Sequence, residues 1–381
     1  MNGLFNCRWS GWCSVIIVAG YFIVGLWPFD FCPPNQVTWL ANRSGLHFEK
    51  YAVAYDPESL PSFGSNVATN PSANFTVEIW AEADREPSDD VYDLMTIHND
   101  RLPCDFIICQ WQRACILRAT VQHPWPSRKV SEVDAGNALT QGTPKFITIR
   151  GDGTGTDFFL DGLPAGHFPQ YVLKPDALDG QLILGSGSSG KHPWSGSLFG
   201  LAIYNRALTA AEIAEHHALW TKGRARQLTN DTSLKALYLL DEGGGRRAED
   251  SSVYRHQIII PEFFQPVHKE FLIAPWKDES YNGPDYSDIA TNILGFLPFG
   301  FCFFLHRRIV KLNQLLANLL FVVLVGAAVS LTIEVIQAWL PNRTSSMSDL
   351  LTNTAGALLG AVLAWAMQSK TVSAKTELET R

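Results

Sequence analysis

The sequence predicts an α + β multidomain protein, in which a four-helix transmembrane bundle carries an inserted all-β sandwich. Three observations carry that expectation. Hydrophobic residues make up 46% of the 381-residue chain, yet the long apolar runs lie only near the N-terminus and in the last quarter. The middle is polar, rich in Gly and Pro, and made of short alternating segments. At this length the chain can hold more than one core. A membrane part and a water-soluble part therefore share it.

The first apolar run, residues 11–29, follows Arg8 and has Trp9, Trp12 and Trp27 near its ends. It is barely long enough to cross a hydrocarbon core of about 30 Å. A cleaved signal peptide is the rival reading, but no small-x-small cleavage site precedes a polar mature start, so a retained anchor is expected. The second run, residues 289–305, reads IATNILGFLPFGFCFFL and is stopped by His306, Arg307, Arg308 and Lys311. The third covers residues 315–340 and the fourth residues 350–367. At these lengths only helices satisfy the backbone in lipid. The basic cluster after the second run marks a cytoplasmic loop. Both termini, residues 1–10 and 368–381, are then cytoplasmic, in agreement with Arg8, Lys370 and Lys375, and the stretch between the first two spans lies outside.

Within that outer stretch, FTVEIWAEA at Phe75–Ala83 alternates apolar and polar residues as a half-buried strand does. FIICQW, ACILRATV, KFITIRG, DFFLDG and GQLILGS continue the pattern, with turn residues such as Gly151-Asp152-Gly153 between them. Many short strands with tight turns indicate a sandwich, expected over residues 40–262. One helix interrupts the series, and Thr209 with Glu212 gives it a capping box. Residues 263–288, apolar and aromatic with interspersed Pro and Lys, suit an interfacial connector, although Ile258–Trp276 could instead supply the last sandwich strand. The net charge of −7 comes mainly from this middle section and leaves no basic stripe for nucleic acid. Cys104, Cys109 and Cys115 fit no zinc spacing. They are open to one disulfide of unassigned pairing or to three free thiols.

Two family resemblances rest on these segments. GSLFGLAIYNRALTAAEIAEH, from Gly196 to His216, closely resembles the closing strand and helix of laminin-G-like, concanavalin A-like domains, as do Phe75–Trp80 and the Asp157–Gly162 hairpin. Ala236–Pro261 resembles a further strand and loop of such domains. This implies a concanavalin-like jelly roll. Asp288–Gly300 and Ser330–Gly360 resemble the signature of the VanZ-like family of bacterial membrane proteins, at Asn292, Gly295, Pro298, Gly300, Ser330, Glu334, Gln337, Pro341, Arg343, Asp349, Asn353, Gly356 and Gly360. The large insertion departs from the shortest members, whose first two spans are joined directly. What the resemblance implies is a multi-pass protein of the bacterial cytoplasmic membrane, with a family link to glycopeptide-antibiotic response.

Ser330, Glu334 and Gln337 share one face of the third span by helical spacing, and Asp349, Asn353, Gly356 and Gly360 one face of the fourth. A rise of about 1.5 Å per residue places Glu334 roughly 9 Å, and Asn292 and Asn353 each roughly 5 Å, inside the outer ends of their helices, with Arg343 and Asp349 above them. A carboxylate is costly in hydrocarbon. Glu334 should therefore face the bundle, paired with Arg343, hydrogen-bonded by Gln337 and the asparagines, or protonated. The cluster reads either as a structural clamp, assisted by close packing at Gly295, Pro298, Gly300, Gly356 and Gly360, or as a polar pocket for a lipid headgroup or an isoprenoid-linked sugar. Catalysis has less support, because the spans offer no second well-placed carboxylate, nucleophile elbow or metal-ligand set.

In the sandwich, Glu78, Glu82, Asp84 and Glu86 lack the carboxylate spacing of family-16 glycoside hydrolases, and Glu78 alternates against Phe75, Val77 and Ile79 as a solvent-facing residue would. Asp152, Asp157 and Asp161 are oxygen donors that could reach calcium but are better explained as turn formers. Trp111, Trp125, Trp194 and Tyr171 are candidates for an aromatic sugar platform, with core packing as the alternative for each. The expected function is recognition of surface glycan or a lipid-linked glycan precursor. The alternatives are a membrane enzyme acting on such a lipid and a scaffold for a protein partner.

Overall fold

The computed structural model describes residues 7–62, 73–84, 88–122, 131–275, 286–306, 314–341 and 343–379. Two compact units emerge: Cys32–Lys269, and Met1–Phe31 together with Glu270–Arg381.

The first unit is a sandwich of two antiparallel sheets. In one, β1 (Val37–Trp39), β2 (Leu46–Phe48), β13 (Gly196–Tyr204), β4 (Phe75–Ala83), β9 (Lys145–Asp152), β10 (Gly155–Leu160) and β11 (Leu163–Phe168) lie side by side, and β14 (Leu234–Tyr238) pairs with β13. The other orders β15 (Arg247–Glu249), β16 (Gln257–Ile259), β3 (Ala54–Ser59), β12 (Gln181–Leu184), β5 (Val91–His98), β6 (Phe106–Trp111), β7 (Ala114–Arg118) and β8 (Glu132–Ala135). Strand alternation makes the core: Phe75, Val77 and Ile79 meet Phe106, Ile108 and Leu182 between the sheets. The Asp157–Gly162 segment forms the expected hairpin. Asp161 (φ 50°) and Gly162 (φ 81°) are both left-handed, as a two-residue turn matching strand twist requires.

The sandwich continues past Pro261. Phe264 is fully buried against Tyr51, Val53 and Ile183, so the first residues assigned to a connector belong to this unit. The incoming and outgoing chain segments are zipped together. Asn35 N–H donates to the Glu262 carbonyl (3.0 Å) and Phe264 N–H to Pro33 (2.9 Å), while the Asn35 side chain bonds Pro261 and Val53. An inserted domain needs its two ends adjacent, and this exchange of backbone bonds holds them so.

The second unit is helical: α1 (Cys7–Leu26), α3 (Tyr286–His306), α4 (Leu315–Gln337) and α5 (Met347–Glu379). Among the described residues three helices are long and apolar enough to cross a membrane, within α3, α4 and α5, and the apolar part of α1, Val15–Leu26, is shorter. α4 ends at Gln337 rather than Leu340, and α5 continues as helix through the expected tail. The basic residues Arg307, Arg308 and Lys311, which orient the chain in sequence, lie outside the described residues.

α3 and α5 approach until their backbones touch. A β-carbon on Gly300 would collide with the Ala357 carbonyl, one on Gly356 with that of Ile293, and one on Gly360 with that of Leu297. Absent side chains allow this approach, which gains dispersion contacts where lipid supplies no hydrophobic drive. Gly295 and Pro298 do not join this seam: Gly295 faces open space, and both are exposed. The Gly295 carbonyl instead accepts the Tyr21 hydroxyl at 2.5 Å.

Candidate functional site

The polar residues of the helical unit tie its elements to one another. Ser346, just before α5, is that helix's N-cap: its hydroxyl accepts from the Ser348 and Asp349 N–H groups (3.1 and 3.4 Å), and its carbonyl accepts from Leu350. In a capping box the fourth residue's own carboxylate would take the N-cap N–H. Here Glu334, 2% exposed, reaches over from α4 and accepts the Ser346 N–H at 2.7 Å. The N-terminal end of α5 also carries the positive end of the helix dipole, which favours a carboxylate. The loop is fixed from the other side as well. Ile273 N–H donates to Ser345 and Met347 N–H to Ile273, forming a short parallel bridge between Ile273 and Ser346.

Glu334 makes no ion pair with Arg343. The guanidinium instead donates to the Trp27 carbonyl at 3.0 Å, capping the end of α1. Gln337 likewise donates to the Gly25 carbonyl (2.8 Å) rather than to Glu334. One turn deeper, the buried Asn353 amide donates to the Ser330 hydroxyl at 3.0 Å. Asn292 is not drawn into these bonds, and its buried Nδ2 has no hydrogen-bond partner among the described residues. The cluster expected at one depth is therefore divided into a cap on α5, a cap on α1 and an α4–α5 cross-bond. Sequence reasoning missed Ser346, although Ser346-x-x-Asp349 has the spacing of a helix start.

In the sandwich the largest correction concerns Glu78. It is fully buried, not solvent-facing, because the outer face of its sheet is covered by α2 (Ala210–Thr221). That helix is capped as its sequence predicts, Thr209 and Glu212 each satisfying the other's backbone N–H. Its inward side chains are Ile213, His216 and Trp220. His216 Nδ1 lies 2.7 Å from Glu78 Oε1, and Trp220 Nε1–H and the Tyr204 hydroxyl donate to Oε2 at 3.2 and 3.3 Å. Burial alone pushes the His216 pKa down. The hydrogen bond and charge of Glu78 outweigh it, so His216 titrates above its ordinary value. The signal was present in sequence: the α2 face includes Trp220, which requires a sheet surface to cover.

Of the proposed aromatic platform, Trp194 and Tyr171 are buried core residues at 0% and 1% exposure, whereas Trp111 is 40% exposed. Trp125 and Glu86 lie outside the described residues. Asp152 accepts from Thr154, Asp157 contacts Arg150 and His167, and Asp161 takes Lys145 and the Phe146 N–H. These aspartates serve separate turns and ion pairs. Glu82 pairs with Arg43, and Asp84 lies 3.5 Å from His47. Cys104, Cys109 and Cys115 are free thiols, and burial pushes the Cys115 pKa up to about 12.

The fold and these contacts define a membrane protein that carries a two-sheet sandwich. Residues 58–214 match the family model of the concanavalin A-like lectin/glucanases superfamily, and residues 238–368 match that of the VanZ/LLP1 family. The chain thus joins a concanavalin-like, laminin-G-type domain to a VanZ-like region. No curated protein sequence matches it. Similar solved structures include a sialidase CBM40 from Ruminococcus gnavus bound to α2,3-sialyllactose (12% identity, 45% of this chain and 96% of that one, TM-score 0.33). A SAP-like pentraxin from Limulus polyphemus matches at 12% identity, over 49% of this chain and 80% of that one, with TM-score 0.33. A candidate carbohydrate-binding protein from Bacteroides ovatus matches at 14% identity, over 59% of this chain and 61% of that one, with TM-score 0.39.

Proposed function

We propose that this protein is a cell-envelope component of a bacterial cytoplasmic membrane whose sandwich, on the outer side, binds surface glycan or a lipid-linked glycan precursor. The observation that carries the reading is one chain in which a lectin-like sandwich is spliced between membrane helices, its two ends zipped together at Asn35 and Glu262. A module joined at both ends to membrane helices is tethered to the membrane, the compartment in which polysaccharide precursors are assembled. The full-length protein in lipid nanodiscs should bind at least one of chitohexaose, a β-1,3-glucan hexamer and α-1,6-dextran, and free sugar should compete. Silence on all three would end the glycan reading.

Topology is tested separately. A single cysteine at Gly244, an exposed position with open space around it, should react with a membrane-impermeant maleimide in intact cells once the native cysteines are replaced by serine. Labelling only after lysis would place the sandwich inside.

The polar cluster of the helices serves in this reading as a clamp. Glu334→Leu should destabilise the helical unit by roughly 2–3 kcal/mol, because the Ser346 N–H loses its charged acceptor in a partly buried place. Glu334→Gln, whose amide oxygen can still accept that bond, should lose less than half as much. Thermal unfolding in detergent distinguishes the two, and equal losses would point to a need for the charge itself.

A further inference from the structure

The chain's own segments cover much of both outer sheet faces: α2 seals Glu78 and Tyr204 on one, and Phe264 and His268 lie on Ile183 and His98 of the other. Strand ends and hairpins away from these covered patches are left to meet a saccharide. One hairpin is built for it. Among the described residues of the sandwich, Trp111 is the one exposed tryptophan, at 40%. It closes β6, opposite Val91 on one side and Ala114 on the other. The two-residue turn beyond it begins with Gln112 at φ 52°, a left-handed position where glycine would be unstrained. Holding a glutamine there strains the backbone, and such strain persists only where the surroundings impose it.

The surroundings form a chain of side-chain bonds from the core to the tip. The fully buried Trp194 donates its indole N–H to Gln110 Oε1 at 2.9 Å. Gln110, itself 1% exposed, donates to the Gln112 carbonyl at 3.0 Å. Gln112 Nε2 then donates to Asp89 at 3.2 Å. These bonds also orient both amides, since each nitrogen faces an oxygen. The hairpin thus carries an exposed indole at Trp111, followed directly in sequence by a hydrogen-bonded amide at Gln112 and the exposed Arg113, and a sugar ring uses both kinds of group: an apolar surface for its C–H face and planar polar groups for its hydroxyls. The Gln112 amide is ordered in advance by its bond to Asp89, which lowers the entropy lost on binding.

We infer that the β6–β7 hairpin is the saccharide-binding site of the sandwich, with Trp111 as the stacking platform and Gln112 and Asp89 as hydroxyl-binding groups. This deepens the glycan reading above and rests on it. The test uses full-length protein in nanodiscs and whichever of chitohexaose, the β-1,3-glucan hexamer and dextran binds most tightly. Trp111→Ala should raise Kd at least tenfold, and Trp111→Phe by no more than about threefold. Gln112→Gly should raise Kd while leaving the melting temperature equal or higher, since it relieves the backbone. Leu163→Ala, at a side chain 70% exposed on another hairpin, should bind as wild type does. Unchanged affinity in Trp111→Ala, or equal weakening in Leu163→Ala, would overturn this site and leave glycan binding standing. No binding by the wild type to any of the three would remove both.

Discussion

Glu78→Ala is expected to destabilise the sandwich by about 3–5 kcal/mol, the cost of leaving one partner of a buried pair behind. His216, Trp220 Nε1 and the Tyr204 hydroxyl would all lose their acceptor beneath α2. Glu78→Gln keeps an acceptor for one of them and should lose less. The pair also has a pH signature. Because the folded pKa of His216 is raised above its ordinary value of 6.5, its stabilisation is fully present below that value and is lost as pH rises through the folded pKa. His98, raised chiefly by its hydrogen bond to Asp105, contributes in the same direction. The test is therefore a difference: denaturant unfolding of wild type minus Glu78→Gln, measured from pH 5 to 9. That difference should shrink as the solution becomes alkaline. A difference that is flat with pH would mean His216 is neutral throughout and Glu78 acts only as a hydrogen-bond acceptor.

The second large effect should come from a single methyl group. Gly300→Ala places a β-carbon against the Ala357 carbonyl, so α3 and α5 must separate, and with them the contacts along the whole seam. A loss of 3 kcal/mol or more is expected, at or above the upper end of about 1–3 kcal/mol usual for overpacking, because a backbone atom cannot rotate aside. Gly295→Ala is the matched control, five residues earlier on the same helix and on another face, with nothing within 4 Å. It should be neutral or stabilising by up to about 1 kcal/mol, the ordinary gain of alanine over glycine in a helix. Thermal unfolding of both variants in the same detergent compares them directly. Equal effects would show that helix propensity, not the close approach, governs these positions.

Much of the architecture was legible in sequence because its signals are local. Apolar runs stopped by charge located α3, α4 and α5, alternation located β4, and Thr209 with Glu212 located the start of α2. The partners of the polar groups were not legible. Helical spacing placed Ser330, Glu334 and Gln337 on one face, but it could not say that Glu334 would take the N–H of Ser346, or that Arg343 and Gln337 would turn instead to the end of α1. Strand alternation put Glu78 opposite the core, and from that period alone an outer face reads as a wet one.

What the sequence by itself determined is the order and kind of the pieces: an apolar helix, a sandwich, and three further apolar helices. These follow from periodicities of two and 3.6 residues, which belong to the chain. Only tertiary structure decided that α2 lies over Glu78, that Trp194 and Tyr171 are core while Trp111 is exposed, and that Glu334 completes the cap of a neighbouring helix. Each of those depends on which surface a second element covers, and burial is a property of two elements meeting, written in neither one alone.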